Sequence, residues 1–128
     1  MTDAQPTVAS RLARRFALFS SDTELEASLR AALPVSWAMT RTTELAALGD
    51  FATVLQYRFL LLDLDDGTFD PLDLTDTVRR ELMLNIAILC IGGDSALRDA
   101  ARLARADRFF ERNAAVEVMQ QFCKQYDW

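Results

Sequence analysis

The sequence predicts an α/β protein in which a doubly wound sheet of five parallel strands is covered by helices on both faces. Three observations carry that expectation. Phe59-Leu60-Leu61-Leu62 and Ile86-Ala87-Ile88-Leu89-Cys90-Ile91 are continuous apolar runs too short for buried helices. Each ends on a turn signal, Asp63 to Gly67 in the first and Gly92-Gly93-Asp94 in the second. Between such runs lie segments with helix-start signatures and apolar residues at helical spacing. Strands that alternate with helices in this way imply right-handed crossovers, and hence a parallel sheet.

Residues 1 to 13 are small and polar around Pro6 and are expected to form a flexible tail ahead of one domain at residues 14–128. Arg15 to Phe19 reads as the first strand, ending on Ser20-Ser21-Asp22. Ser21-Asp22-Thr23-Glu24 has the form of a capping box, with the Ser21 hydroxyl and the Glu24 carboxylate satisfying the free amides of a helix start. Leu25, Leu29 and Leu33 then give that helix an apolar stripe, and Pro34 stops it. Val35, Trp37 and Met39 alternate with Ser36, Ala38 and Thr40, as in a strand near a sheet edge. Thr43 to Leu55 has loose helical spacing and is expected to break at Gly49. Asp70-Pro71 supplies an N-cap and a proline at the first helical position, and that helix is expected to run to Met83. After the strand at Ile86 to Ile91 comes a helix bearing Leu97, Ala101 and Ala104. Arg108 to Glu111 forms a short fifth strand, and Asn113 is the expected cap of a last helix with Ala115, Val118, Met119 and Phe122 inward.

Composition narrows the function classes. Of 128 residues 51% are hydrophobic and 26% charged, enough to bury a core within one domain. Fourteen basic and nineteen acidic residues give a formal charge of −5, so no broad cationic surface exists for nucleic acid. No apolar run approaches the ~20 residues of a membrane helix, and the N-terminus lacks the apolar core of a signal peptide. A cytoplasmic protein is expected. The two cysteines, Cys90 and Cys123, have no CxxC spacing and read as reduced core thiols. The chain has no histidine, which excludes His-ligated metals, Ser-His-Asp or Cys-His catalysis and a phosphohistidine step on this chain.

The functional signal lies in what each strand delivers at its carboxyl end, where open α/β sheets keep their sites. Leu60-Leu61-Leu62-Asp63-Leu64 places one acid there, followed by Asp65, Asp66 and Gly67. With the first strand ending Phe19-Ser20-Ser21-Asp22, the chain resembles a response-regulator receiver domain over roughly Arg15 to Phe122. The resemblance implies a flavodoxin-like strand order of 2-1-3-4-5 and places Asp63 as the phosphoacceptor equivalent. It also shows departures. The acidic pair that holds Mg²⁺ in such domains falls on Ser20 and Ser21. The hydroxyl residue that closes the fourth strand falls on Cys90, the switch aromatic of the fifth strand on Phe109, and the lysine that follows on Arg112.

Physical chemistry states what the departures do. Mg²⁺ takes hard oxygen ligands, usually one or two protein carboxylates beside phosphoryl oxygens. Each carboxylate ~4 Å from a divalent ion contributes on the order of 8 kcal/mol before desolvation at an effective dielectric near 20, so two serines leave a poor site. Asp22 is the spare acid of the first loop and, one place further along, is expected to point away. Arginine in place of lysine keeps the charge and offers a planar fork that could grip Asp63 bidentately. Plainer readings stand beside these. Ser20 and Ser21 also read as a turn and a helix cap, Asp63 as a tolerated remnant, Cys90 as a packed thiol and Phe109-Phe110 as core packing. The acids from Asp63 to Asp70 lack the glutamate and ligand order of an EF-hand loop.

The expected function is that of an atypical receiver: a non-enzymatic bacterial signalling module, without metal or cofactor, acting through a protein partner. The alternative is a phosphorylatable receiver that uses Asp63. A small-ligand binder of flavodoxin type is disfavoured by the absence of a Gly-rich phosphate loop after Phe19. The mixed charges from Leu97 to Phe122, among them Arg98, Asp99, Arg102, Arg105 and Glu111, mark an expected partner or homodimer face.

Overall fold

A computed structural model describes residues 13–128, so all of the expected tail except Ala13 lies outside the described residues. Strands β1 (Arg14–Phe19), β2 (Trp37–Thr42), β3 (Phe59–Asp63), β4 (Ala87–Ile91) and β5 (Arg108–Phe110) form one sheet in the order β2-β1-β3-β4-β5. Every pairing is parallel. The class and the order are those expected.

Alternation along the strands splits the core into two layers. Phe16, Leu18, Phe59, Leu61, Leu89 and Ile91 face α1 (Thr23–Ala32) and α5 (Ala115–Gln125). Phe16 stacks on Phe59 with ring centroids 4.6 Å apart. Ala17, Phe19, Leu60, Leu62, Ile88 and Cys90 form the other layer. It is covered by α2 (Phe51–Val54), α3 (Pro71–Asp76) and α4 (Ser95–Leu103). The continuous apolar runs of β3 and β4 follow from this two-sided burial. Each fully buried Leu, Ile or Phe contributes about 1.5–3 kcal/mol, which holds the strand ends in a fixed register.

Several boundaries differ from expectation, each for a local reason. Val35 is fully exposed, and β2 begins at Trp37 with Trp37 and Met39 inward. This strand does lie at the sheet edge. Residues 43–55 break at Gly49, whose φ of 107° ends a 3₁₀ turn at Leu45–Leu48 before Asp50 caps α2. Asp70 caps α3 as expected, accepting from the amides of Leu72 and Asp73. The helix then widens into a π turn over Thr77–Glu81 and ends short of Met83.

Two expected caps are corrected. The cap of α1 is Asp22, which accepts from the amides of Glu24 and Leu25, so Ser21 is not the capping residue. A carboxylate is the stronger acceptor at a helix start, and the helix dipole favours its charge. Asn113 does not cap α5: it lies inside a 3₁₀ turn, Arg112–Ala114, and Ala114 takes the cap position without a side-chain bond. The inward stripe of Ala115, Val118, Met119 and Phe122 is as expected. In α4 only Ala101 of the expected face is fully buried. Both cysteines are free and buried.

Candidate functional site

The parallel register sets the ends of β1, β3 and β4 side by side, with Phe19 opposite Leu62 and Asp63 opposite Ile91. The loops that leave them therefore meet at the carboxyl edge of the sheet, joined there by the turn that follows β5. Asp63 stands at their centre and is buried, at 1% exposure. One carboxylate oxygen, Oδ2, accepts from the Ser20 hydroxyl at 2.7 Å. The other, Oδ1, accepts from the Asp65 amide at 3.0 Å and from Nη1 of Arg112. Ser20 is itself fully buried, and its oxygen accepts from the Asp22 amide at 3.0 Å, which relays the first loop onto the carboxylate.

Arg112 gathers two further acids. Its Nη2 donates to Asp22 Oδ2 at 2.5 Å and its Nη1 lies 3.4 Å from Asp65 Oδ2. The expected bidentate grip on Asp63 is replaced by a fork shared among carboxylates, because the Ser20 hydroxyl already occupies Asp63 Oδ2. Asp22, expected to point away, faces the site: Oδ1 caps α1 while Oδ2 takes Arg112, the two oxygens serving two partners. The hydrogen bond to Asp63, followed by that to Asp22, holds the Arg112 proton more tightly than usual against the opposing effect of burial. The Asp22 carboxyl is lowered, chiefly by the Leu25 amide and then by Arg112.

The surrounding loops hold this arrangement in place. Asp65 Oδ1 accepts from the Gly93 amide at 2.9 Å. Gly92 has φ 71°, and a Cβ there would come within 2.1 Å of Asp65 Oδ2, so a side chain at this position would displace that carboxylate. Asp66 joins the first and third loops by accepting from the Ser21 amide and from both the amide and hydroxyl of Thr68, at 2.9 and 2.7 Å. Burial raises its pKa, but the bonds from Thr68 and Ser21 together outweigh that and lower it to about 2. Ser21 thus enters through its backbone.

The other sequence-derived positions lie apart. Cys90, in register with Leu62 and Phe109, packs in the apolar layer. Burial, with a smaller contribution from Asp107 and against Arg98, pushes its thiol up to about 12, so it is a core residue rather than a reactive one. Phe109 is half-buried with the Arg102 guanidinium 4.7 Å from its ring centroid. Arg98 ties strand ends together, donating to Gly92 O at 2.9 Å and Phe110 O at 3.2 Å. Arg102 pairs with Asp99 at 3.0 Å.

The donor set does not fit a divalent cation. Asp63 is surrounded by a hydroxyl, an amide and a guanidinium, all donors, where a hard cation needs oxygen acceptors. Among the described residues no group of three His, Cys, Asp or Glu side chains is arranged to hold a metal ion. Sequence reasoning missed Asp22 and Asp66. The choice of Asp22 rather than Ser21 as the helix cap was the available signal for the first. The second has none, since Asp66 acts on a backbone amide 45 residues away.

No family model matches the chain, and no curated protein matches it. Solved structures do. A response-regulator signal receiver domain from Bermanella marisrubri superposes with a TM-score of 0.66 at 20% identity, over 84% of this chain and 95% of that one. HP1043, an orphan response regulator of H. pylori, gives 0.67 at 13% identity over 90% and 97%. The receiver domain of the sensor histidine kinase PA1611 from Pseudomonas aeruginosa PAO1, which has a magnesium ion coordinated in its active-site cleft, gives 0.61 at 14% identity over 89% and 97%. Among the described residues no helix is long and apolar enough to cross a membrane. Strand order, connectivity and these neighbours agree: the chain has the fold of response-regulator receiver domains.

Proposed function

We propose that this protein is an atypical receiver: a cytoplasmic bacterial signalling module of one domain, residues 14–128, that works through protein contact without Mg²⁺-dependent aspartyl phosphorylation. The observation that carries the reading is the occupation of both Asp63 oxygens by donors from within the chain, Ser20, Asp65 and Arg112. Phosphoryl transfer to a carboxylate needs a free oxygen in line with the donor and a cation to neutralise the transferred group. Here the attacking oxygens are engaged, and the positions that would bear metal carboxylates carry Ser20 and Ser21. The function that remains is recognition. The region from Leu97 to Phe122, with charges of both signs around β5, is the surface we assign to a signalling partner or a second copy of the chain.

The alternative reading, a phosphorylatable receiver, draws on one observation: an acid stands at the end of β3 with a cation beside it. Incubation with acetyl phosphate and Mg²⁺, followed by intact-protein mass spectrometry, separates the two. The atypical reading expects no phosphoryl adduct. An Mg²⁺-dependent adduct that is absent in Asp63→Asn would establish the alternative.

A further inference from the structure

We propose that a groove at the amino end of the sheet, opposite Asp63, docks an acidic amphipathic segment of a partner protein, apolar on one side and flanked by carboxylates. The proposal goes beyond the function above: the groove shares Asp107, Arg108 and Phe122 with the region assigned there, and nothing in it depends on the state of Asp63. Among the described residues the exposed large apolar side chains are Val35, Phe51, Leu55, Met83, Leu103 and Trp128. Each lies in a segment leading into β2, β3, β4 or β5 or just beyond α5, and the loops around Asp63 carry none of them. Three of them, Phe51, Leu55 and Trp128, line one groove of about 1140 Å³ between the end of α2 and the last turn of α5. Large apolar side chains that a fold leaves together in solvent mark a contact surface.

The shape and charge of the groove select its occupant. Buried Tyr57, Leu89 and Phe122 form its floor and exposed side chains its rim, so the apolar surface is concave. At about 1140 Å³ it exceeds the ~300–1,000 Å³ that holds a drug-sized ligand, and it suits several side chains of one polypeptide segment. The acid of the lining, Asp107, pairs with Arg79 at 2.8 Å, and Asp127, between the lining residues Tyr126 and Trp128, pairs with Arg14. Arg108 on the wall and Lys124 beside the lining residue Gln125 form no ion pair among the described residues. The Arg108 guanidinium lies 5.8 Å from the Phe122 ring centroid, which holds its charge along the apolar wall. A chain of formal charge −5 thus presents unpaired positive charge at the margin of its apolar groove, the complement of carboxylates flanking an apolar stripe. A second copy fits poorly. Groove against groove brings like charges together, and the acidic loops around Asp63 have no exposed large apolar side chain to fill the cavity. A bilayer is flat and meets only the rim.

The probe is a rhodamine-labelled helical peptide with leucines at i, i+3, i+4 and i+7 and glutamates elsewhere, paired with a second probe in which lysine replaces every glutamate. Binding is read by fluorescence anisotropy. Wild type should bind the acidic probe at least about tenfold more tightly than the lysine probe, and the gap should close at high salt. Leu55→Asp should lose at least about tenfold in affinity for the acidic probe, and Arg108→Glu should reverse the preference between the probes. Val35→Asp, exposed but outside the groove, should bind as wild type does. Phe51→Glu takes the place of Leu55→Asp if that variant does not fold. The proposal is overturned if wild type prefers neither probe, or binds neither into the millimolar range, or if folded Leu55→Asp and Arg108→Glu bind as wild type does. Self-association of wild type that Leu55→Asp abolishes would also overturn it and assign the groove to a second copy. Flotation with phosphatidylglycerol vesicles that Leu55→Asp abolishes would overturn it in favour of a bilayer. All these outcomes leave the acetyl phosphate test of Asp63, and the function it bears on, unaffected.

Discussion

Two arginines anchor opposite ends of the sheet, and their partners differ in kind. Arg79, its side chain only 6% exposed, lies at the amino end. It donates to three backbone carbonyls, Arg105 O at 3.0 Å, Leu84 O at 2.9 Å and Ile86 O at 2.8 Å, and to one carboxylate, Asp107, at 2.8 Å. Those carbonyls belong to the turns leading into β4 and β5, where Met83 and Arg105 both have positive φ. Arg112, at the carboxyl end and with its side chain 33% exposed, pairs among the described residues with three carboxylates, Asp22, Asp63 and Asp65. An arginine bonded to neutral carbonyls in a buried place holds the chain's shape. One that balances three acids at a half-open edge sets the electrostatics of a site, at smaller cost to the fold.

The comparison can be broken by truncating each arginine and measuring urea unfolding. Arg79→Ala leaves three backbone carbonyls without this donor and takes the cation from Asp107, which keeps only the Ile88 amide at 2.7 Å, and should cost about 3–5 kcal/mol. Arg112→Ala should cost about 1–2 kcal/mol, because Ser20 and the Asp65 amide still serve Asp63 and solvent screens the rest. Equal losses, or the reverse order, would contradict the division between a structural and an electrostatic arginine.

A smaller effect sharpens the account of the site. The Asp66 pKa falls on folding from an ordinary 3.8 to about 2, so its contribution to stability is complete above the higher value and is lost as pH falls through the lower. Acid titration followed by circular dichroism should show wild type losing stability in that window more steeply than Asp66→Asn. Identical curves would mean that the bonds from Ser21 and Thr68 do not act on the charged carboxylate.

Much of this architecture can be read along the chain. The strands are legible because two-sided burial forces continuous apolar runs such as Leu60-Leu61-Leu62, and Asp70-Pro71 marks a helix start on its own. Asp63 at a strand end announces the site. What escapes the sequence depends on distant partners. The π turn at Thr77–Glu81 accompanies the inward placement of Arg79 against turns 5 to 28 residues away. Arg58 is likewise silent in sequence, yet its Nη1 holds the carbonyls of Tyr126 at 2.6 Å and Trp128 at 2.7 Å while its guanidinium lies 3.8 Å from the Trp128 ring centroid. Asp22 was hidden by a choice between adjacent caps that only the three-dimensional position of Arg112 resolves, 90 residues later.

The central claim is that Asp63 is already engaged by the chain's own donors and has no use for an added cation. Its most direct test is the two-dimensional ¹H–¹⁵N spectrum of the wild-type protein, recorded before and after addition of Mg²⁺ and then of beryllofluoride. The amides of Ser21, Asp65 and Gly93, which bond directly to the acids of the site, are the reporters. The account predicts that they stay in place through both additions. Saturable shifts of these amides with Mg²⁺, extended by beryllofluoride and abolished in Asp63→Asn, would contradict it.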